Sequence, residues 1–359
     1  MEEKPAVPGI AQVCILFSIV VFLFLMIGYR VQKKEFYSGI LITEVILIML
    51  PALIYLMSFR IKERGHTSPA DGLNAEVCPQ IDVKRLLRLN KTSFLNFILI
   101  LGIMIFALPL VGLINFINLW LVNSIFGKII IEQPPVAENF TGLLVSILVI
   151  GGSAGLCEEF LFRGVIQRGL ERFGAGKAIL LTAFLFGLTH LDFQKLFGAF
   201  LLGSLIGFIV YRTNSLYSGI FAHFTNNTLA VVVSFAANKV ADFFKGSGIK
   251  VPQSDINLGD MFSMFGGMSR EQLIIIVFVY GILFFFFFSV FALILFALTK
   301  LNPRTAEKIP SVRLSINPRG LLWLLPGVSF IALMYFAEVM SFRGINNTFV
   351  EQLRMLLGV

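Results

Sequence analysis

Nine apolar runs, roughly 9–29, 38–58, 94–121, 141–160, 178–191, 196–211, 215–235, 272–299 and 320–340, follow one another along the chain, with polar segments between them. A helix needs about 20 apolar residues to cross the hydrocarbon core of a bilayer, and a transmembrane β-barrel would instead show short alternating segments. The pattern therefore predicts an all-α, polytopic integral membrane bundle of about nine transmembrane helices. The runs at 178–191 and 196–211 are short and are expected to tilt or to begin in the interface. The first run lacks the short apolar region and small-residue cleavage site of a removable signal, so it is expected to stay in the protein.

Composition agrees with that pattern. Hydrophobic residues make up 57% of the chain and charged residues only 14%, with a mean hydropathy of +0.86, whereas a soluble domain carries about 25% charged residues. The 39 phenylalanines read as lipid-facing and packing residues. The net charge of +8 sits in the loops, where it points to anionic lipid headgroups and not to nucleic acid. Cys14 and Cys157 lie in apolar runs and Cys78 in a loop, with no C-x-x-C spacing, so neither a disulfide framework nor a thiolate zinc site is expected.

Four regions follow from the runs. Residues 1–140 hold three helices and a basic loop at 59–93, and residues 141–235 hold four helices that carry the unusual polar residues. Residues 236–271, with Lys-Gly-Ser-Gly and Gly-Gly-Met-Ser, read as a mobile loop, and 272–359 hold two helices and a tail. With the amino terminus in the cytoplasm, 18 of the 29 lysines and arginines fall on the inner side, although Arg30, Lys33 and Lys34 pull locally the other way. The stretch Ile81-Asp82-Val83-Lys84-Arg85-Leu86-Leu87-Arg88-Leu89 is basic and amphipathic and reads as a juxtamembrane helix on anionic lipid. His66 reads as a solvated loop residue. Glu44 and Glu338 stand singly in or at the edge of apolar spans, where a lone carboxylate commonly snorkels or pairs.

The chemistry gathers in three short segments. Glu158-Glu159-Phe160-Leu161-Phe162-Arg163 ends an apolar run, where each ionised side chain costs on the order of 2.5–3.5 kcal/mol to insert. Neighbouring helical residues point about 100° apart, so the two glutamates cannot share one task. Glu159 and Arg163 are four apart, in the favourable order for an ion pair, which leaves Glu158 as the candidate general base. In Phe186-Gly187-Leu188-Thr189-His190, Phe186 and His190 share a face, so the ring can pack beneath the imidazole. Glu159 lies 15 residues before Gly174 and His190 lies 14 after Gly176, which puts them at one depth in a helical hairpin. In His223-Phe224-Thr225-Asn226-Asn227, His223 and Asn227 share a face and offer two neutral donors suited to an oxyanion, with Asn226 pointing away. Glu158, His190 and His223 also make up the His₂Glu inventory of a catalytic zinc site, although no H-E-x-x-H pair is present. The same groups could serve as a proton relay in a transporter, but no internal repeat is visible. They could also simply join helices.

Taken in order, E-E-x-x-x-R at 158–163, F-x-x-x-H at 186–190 and H-x-x-x-N at 223–227 resemble the three motifs of the CPBP group of intramembrane proteases, which includes the CAAX prenyl endopeptidases and the bacterial Abi proteins. The resemblance covers about residues 141–235, including the polar turn Tyr211-Arg212-Thr213-Asn214-Ser215-Leu216. It implies an all-helical bundle around a polar cavity open to the cytoplasm. Glu158 with His190 would activate water, His223 and Asn227 would hold the oxyanion, and Glu159, Arg163 and Phe186 would support the site. On this reading the chain is a multi-pass hydrolase of the bacterial cell membrane, acting without a cofactor on membrane-associated, prenylated or leader-bearing peptides. A catalytically silent immunity or binding protein, a zinc-dependent variant and a proton-coupled transporter remain the alternatives.

Overall fold

The computed structural model describes residues 8–64, 83–127, 137–246, 267–303 and 318–345, with the single positions 129 and 348. Among these residues the regular structure is helical throughout. Helix α1 spans Ile10–Lys34 and α2 Phe36–Ser58. A short α3 covers Val83–Leu86. Then come α4 at Phe94–Phe126, α5 at Phe140–Phe173, α6 at Ala175–Leu188, α7 at Phe193–Thr213 and α8 at Leu216–Gly246. Helices α9, Arg270–Leu301, and α10, Pro318–Phe342, complete the bundle.

Eight of these helices are long and apolar enough to cross a membrane; α6, which overlaps the run expected at 178–191, has only 14 residues. Helix starts fall where the sequence supplies a cap. Ser93 accepts a hydrogen bond from Asn96 N (3.2 Å), Asn139 from Gly142 N (2.8 Å) and Asp192 from Gln194 N (2.8 Å). Helix α8 continues to Gly246, well into the segment expected to be a loop from 236. The remainder of that loop at 247–266, and the positions of His66 and Cys78, lie outside the described residues.

Helices α1 and α10 pack through small residues. Ser18 Oγ donates to Trp323 O (2.8 Å) and accepts from Gly327 N (3.2 Å), and a Cβ on Gly327 would meet Ser18 Cα at 2.9 Å. Between membrane helices, where both sides are equally apolar, such close approach supplies the packing energy. None of the most apolar stretch of α9 is buried, as expected of a lipid-facing helix.

Polar residues gather at one end of the bundle. Arg88 donates to both carboxylate oxygens of Glu171 (2.7 and 3.0 Å), and Arg168 pairs with the same carboxylate (2.6 Å). Asn90 and Ser215 tie residues 88–90 to the α7–α8 turn, and Asn96 and Asn302 exchange side-chain hydrogen bonds. Of the stretch 81–89 read as a lipid-surface helix, 83–89 are described: Lys84 and Arg85 are exposed, while the other side packs on protein. Leu86, Leu87 and Arg88 are buried in the protein, because a buried Glu171 offers the arginine a bidentate partner that lipid would not.

Candidate active site

The site is built on α5, which is not a uniform α-helix. Widened, π-helical stretches at Ile147–Ser153 and Phe160–Ile166 bracket the α-helical turn Ala154–Glu159. Such stretches add a residue to the turn and recur at functional sites. Here they hold Glu158 and Glu159 between helices α2, α6 and α8.

Glu159 and Arg163 form the expected pair. Their Oε1–Nη1 distance is 2.6 Å and both side chains are fully buried. Arg163 also donates from Nη2 to Gly203 O (2.9 Å), and its guanidinium lies over the Phe186 ring at 4.8 Å. Phe186 is the hub of the site. Its ring meets His190 edge-on at 5.0 Å and His223 at 5.8 Å, and Phe162 at 5.2 Å supports it. A ring locked between an arginine and two imidazoles fixes the direction of both imidazoles.

The two histidines are held alike, by Nδ1. His190 Nδ1 lies 3.1 Å from Phe186 O, and His223 Nδ1 lies 2.8 Å from Glu159 Oε1. An acceptor at Nδ1 places the ring proton there and leaves the lone pair on Nε2. His223 Nε2 is 3.9 Å from Glu158 Oε2. Glu158 is part-exposed, at 18% of its side chain. His190 is exposed and lies within electrostatic reach of Glu158 and His223. The turn after it is tightly fixed. Leu191 adopts φ +53°, a conformation costly for leucine, and Glu338 Oε2 accepts from Phe193 N (3.2 Å). Glu338, expected to be incidental, thus anchors the His190 turn to α10.

Two expectations need correction. His223 and Asn227 do not form a pair of neutral donors. With Nδ1–H directed at Glu159, the neutral His223 ring presents a lone pair at Nε2, and it becomes a donor there only as imidazolium. Asn227 commits one amide hydrogen to Ile150 O (3.0 Å), a carbonyl inside the first π-helical stretch, and keeps one free amide hydrogen. Asn226 does not point away; it donates to Asn227 Oδ1 (3.1 Å). Among the described residues no three His, Cys, Asp or Glu side chains come together as ligands of a metal ion would.

The partner that sequence reading undervalued is Glu44. It projects from α2, is 5% exposed, and its carboxyl lies against that of Glu158. Its one signal in the sequence was an acid inside an apolar span.

Glycine makes the helix contact possible. A Cβ on Gly155 would meet the α8 backbone, Phe224 N at 3.1 Å and Ile220 O at 3.3 Å. Gly155→Val is therefore expected to push α8 outward and separate His223 from Glu158. Peptide cleavage should fall at least about tenfold, as misplacement of a catalytic group by about 1 Å costs more than that. Gly152→Val, at a position with open space around it, is the control.

A helical membrane bundle that brings buried acids and a buried imidazole together defines the class: a polytopic membrane protein with a site equipped for acid–base chemistry. Within it, residues 140–229 match a family model described as type II CAAX prenyl endopeptidase Rce1-like, in agreement with the CPBP group to which the three motifs point. The matched segment runs from α5 into α8 and contains every motif residue from Glu158 to Asn227, and it supports an intramembrane CAAX-type endopeptidase in general terms. No curated protein and no solved structure matches the chain.

Proposed function

We propose that the protein is a glutamate-type intramembrane endopeptidase that hydrolyses peptide bonds of membrane-associated, prenylated or leader-bearing substrates. One observation carries this reading: Glu158 Oε2 faces His223 Nε2 across 3.9 Å, with His190 near both. A water held to one side of these two atoms would give its proton to Glu158, assisted by the Nε2 lone pair of His190, as its oxygen attacks the scissile carbonyl carbon. His223, charged and held by Glu159, and the free amide hydrogen of Asn227 would stabilise the resulting oxyanion. As the carbon–nitrogen bond breaks, Glu158 returns the proton to the leaving amine, giving a new amino terminus and a new carboxylate. Glu159, Arg163 and Phe186 hold these groups in place.

We place the protein in a cell membrane with its amino terminus in the cytoplasm, a sidedness supported by the gathering of the basic segments at one end of the bundle. No step runs through a metal, so cleavage should survive exhaustive chelation. The test is a comparison of protein termini in membranes bearing the wild type and membranes bearing Glu158→Gln. New termini restricted to the wild type support the reading. Identical sets of termini point to a binding or immunity role, and solute flux in sealed vesicles without cleavage points to a transporter.

A further inference from the structure

The segment that matches the protease family begins at residue 140, so nothing in the match bears on α2. Yet α2 inserts a carboxyl into the site. Glu44 lies in a π-helical stretch, Thr43–Met49, and is almost fully buried. Its helix packs directly on α5, where Met49 Sδ is 3.9 Å from Cys157 Sγ. The Glu44 carboxyl lies against that of Glu158, and the Oε2 atom of each is buried without a hydrogen-bond partner among the other side chains.

Two carboxyl oxygens form a hydrogen bond only with a proton between them. Charge counting leads to the same place. Glu44, Glu158 and Glu159 bring three acids to one small volume, and Arg163 is the single guanidinium among them, already bound to Glu159. The other titratable neighbours of the pair are Cys157 on α5, His190 after α6 and His223 on α8. One proton held between Glu44 and Glu158 lowers this excess of negative charge. Two unprotonated acids in contact would repel strongly in so dry a place.

We propose that Glu44 is a positioning residue of this site: it forms a carboxyl dyad with Glu158, holding one proton against it, so that Glu158 is aimed at the hollow and works as half of an acid pair. The proposal builds on the peptidase reading for its kinetic consequence, but the dyad itself can be seen without any substrate. Glu44 holds the shared proton against one oxygen of Glu158 while the other oxygen accepts the proton from water. The pair therefore gains one proton from water and returns one to the leaving amine, and no co-reactant is needed. Coupled acids lose their protons in two steps that belong to the pair.

The experiment uses the full chain in liposomes and infrared spectra recorded across a pH titration, for the wild type, Glu44→Gln, Glu44→Asp and Glu158→Gln. A protonated-carboxyl C=O band at neutral pH is expected in the wild type. It should vanish in Glu44→Gln, vanish or move in Glu158→Gln, and persist at a shifted position in Glu44→Asp, which also keeps the measurement decisive if the amide variant folds poorly. In parallel, the pH profile of kcat/KM for Glu44→Gln should move by about one unit or more, the least that a coupled acid contributes. Absence of the band in the wild type, its persistence unchanged in Glu158→Gln, or a Glu44→Gln profile that only shrinks without moving would overturn the dyad. A band that behaves as expected in a protein that cleaves nothing would leave the dyad standing and remove the peptidase reading alone.

Discussion

Glu158→Gln is expected to lower kcat/KM for peptide cleavage by about 10²–10⁴-fold, the range typical for loss of a general base, while leaving the bundle folded. The amide has the shape of the acid but cannot take a proton from water. The side chain is part-exposed to the hollow and, apart from its contact with Glu44, is not needed to neutralise a cation, because Arg163 is bound to Glu159. Thermal unfolding of the reconstituted variant should therefore track the wild type while turnover collapses. Wild-type turnover in this variant would move the base to another residue.

The second large effect is on stability. Glu159 accepts from Arg163 at 2.6 Å and from His223 at 2.8 Å with its side chain wholly buried, so Glu159→Gln strips a buried guanidinium of its counter-charge. Breaking one partner of a buried pair costs on the order of 3 kcal/mol or more. The variant should unfold at clearly lower temperature or denaturant and should also lose activity, since His223 loses the charged acceptor that holds its Nδ1 proton. Arg163→Lys should share the defect. A lysine ammonium has no planar fork with which to reach both Glu159 and Gly203 O and to stack on Phe186. A fully stable Arg163→Lys protein would show that the pair is dispensable.

The fold class was legible because lipid imposes a crude rule: long apolar runs must become helices. The Glu159–Arg163 and Phe186–His190 pairings were legible too, as four-residue spacing puts both members on one helix face whatever the tertiary structure. The helical hairpin at Gly174 let depth be read by counting. What could not be read is which face meets which neighbour. Glu44 looked solitary because its partner comes from a helix far along the chain. His223 looked like a free donor because nothing local announces that Glu159 takes its Nδ1 proton. Asn227 pairs with Ile150 O within a widened turn, and a π-helical stretch shifts the phase of every face after it. Arg88 was misplaced for the same reason, since its acid, Glu171, sits on a different helix.

The most direct test of the central claim is cleavage of a membrane-anchored peptide by the purified protein in liposomes, run in water labelled with heavy oxygen and read by mass spectrometry. The account predicts two complementary fragments, a heavy oxygen in the new carboxylate, and neither product when the liposomes carry Glu158→Gln. An intact peptide across prenylated and leader-bearing substrates, or the same fragments from the Glu158→Gln protein, would contradict it.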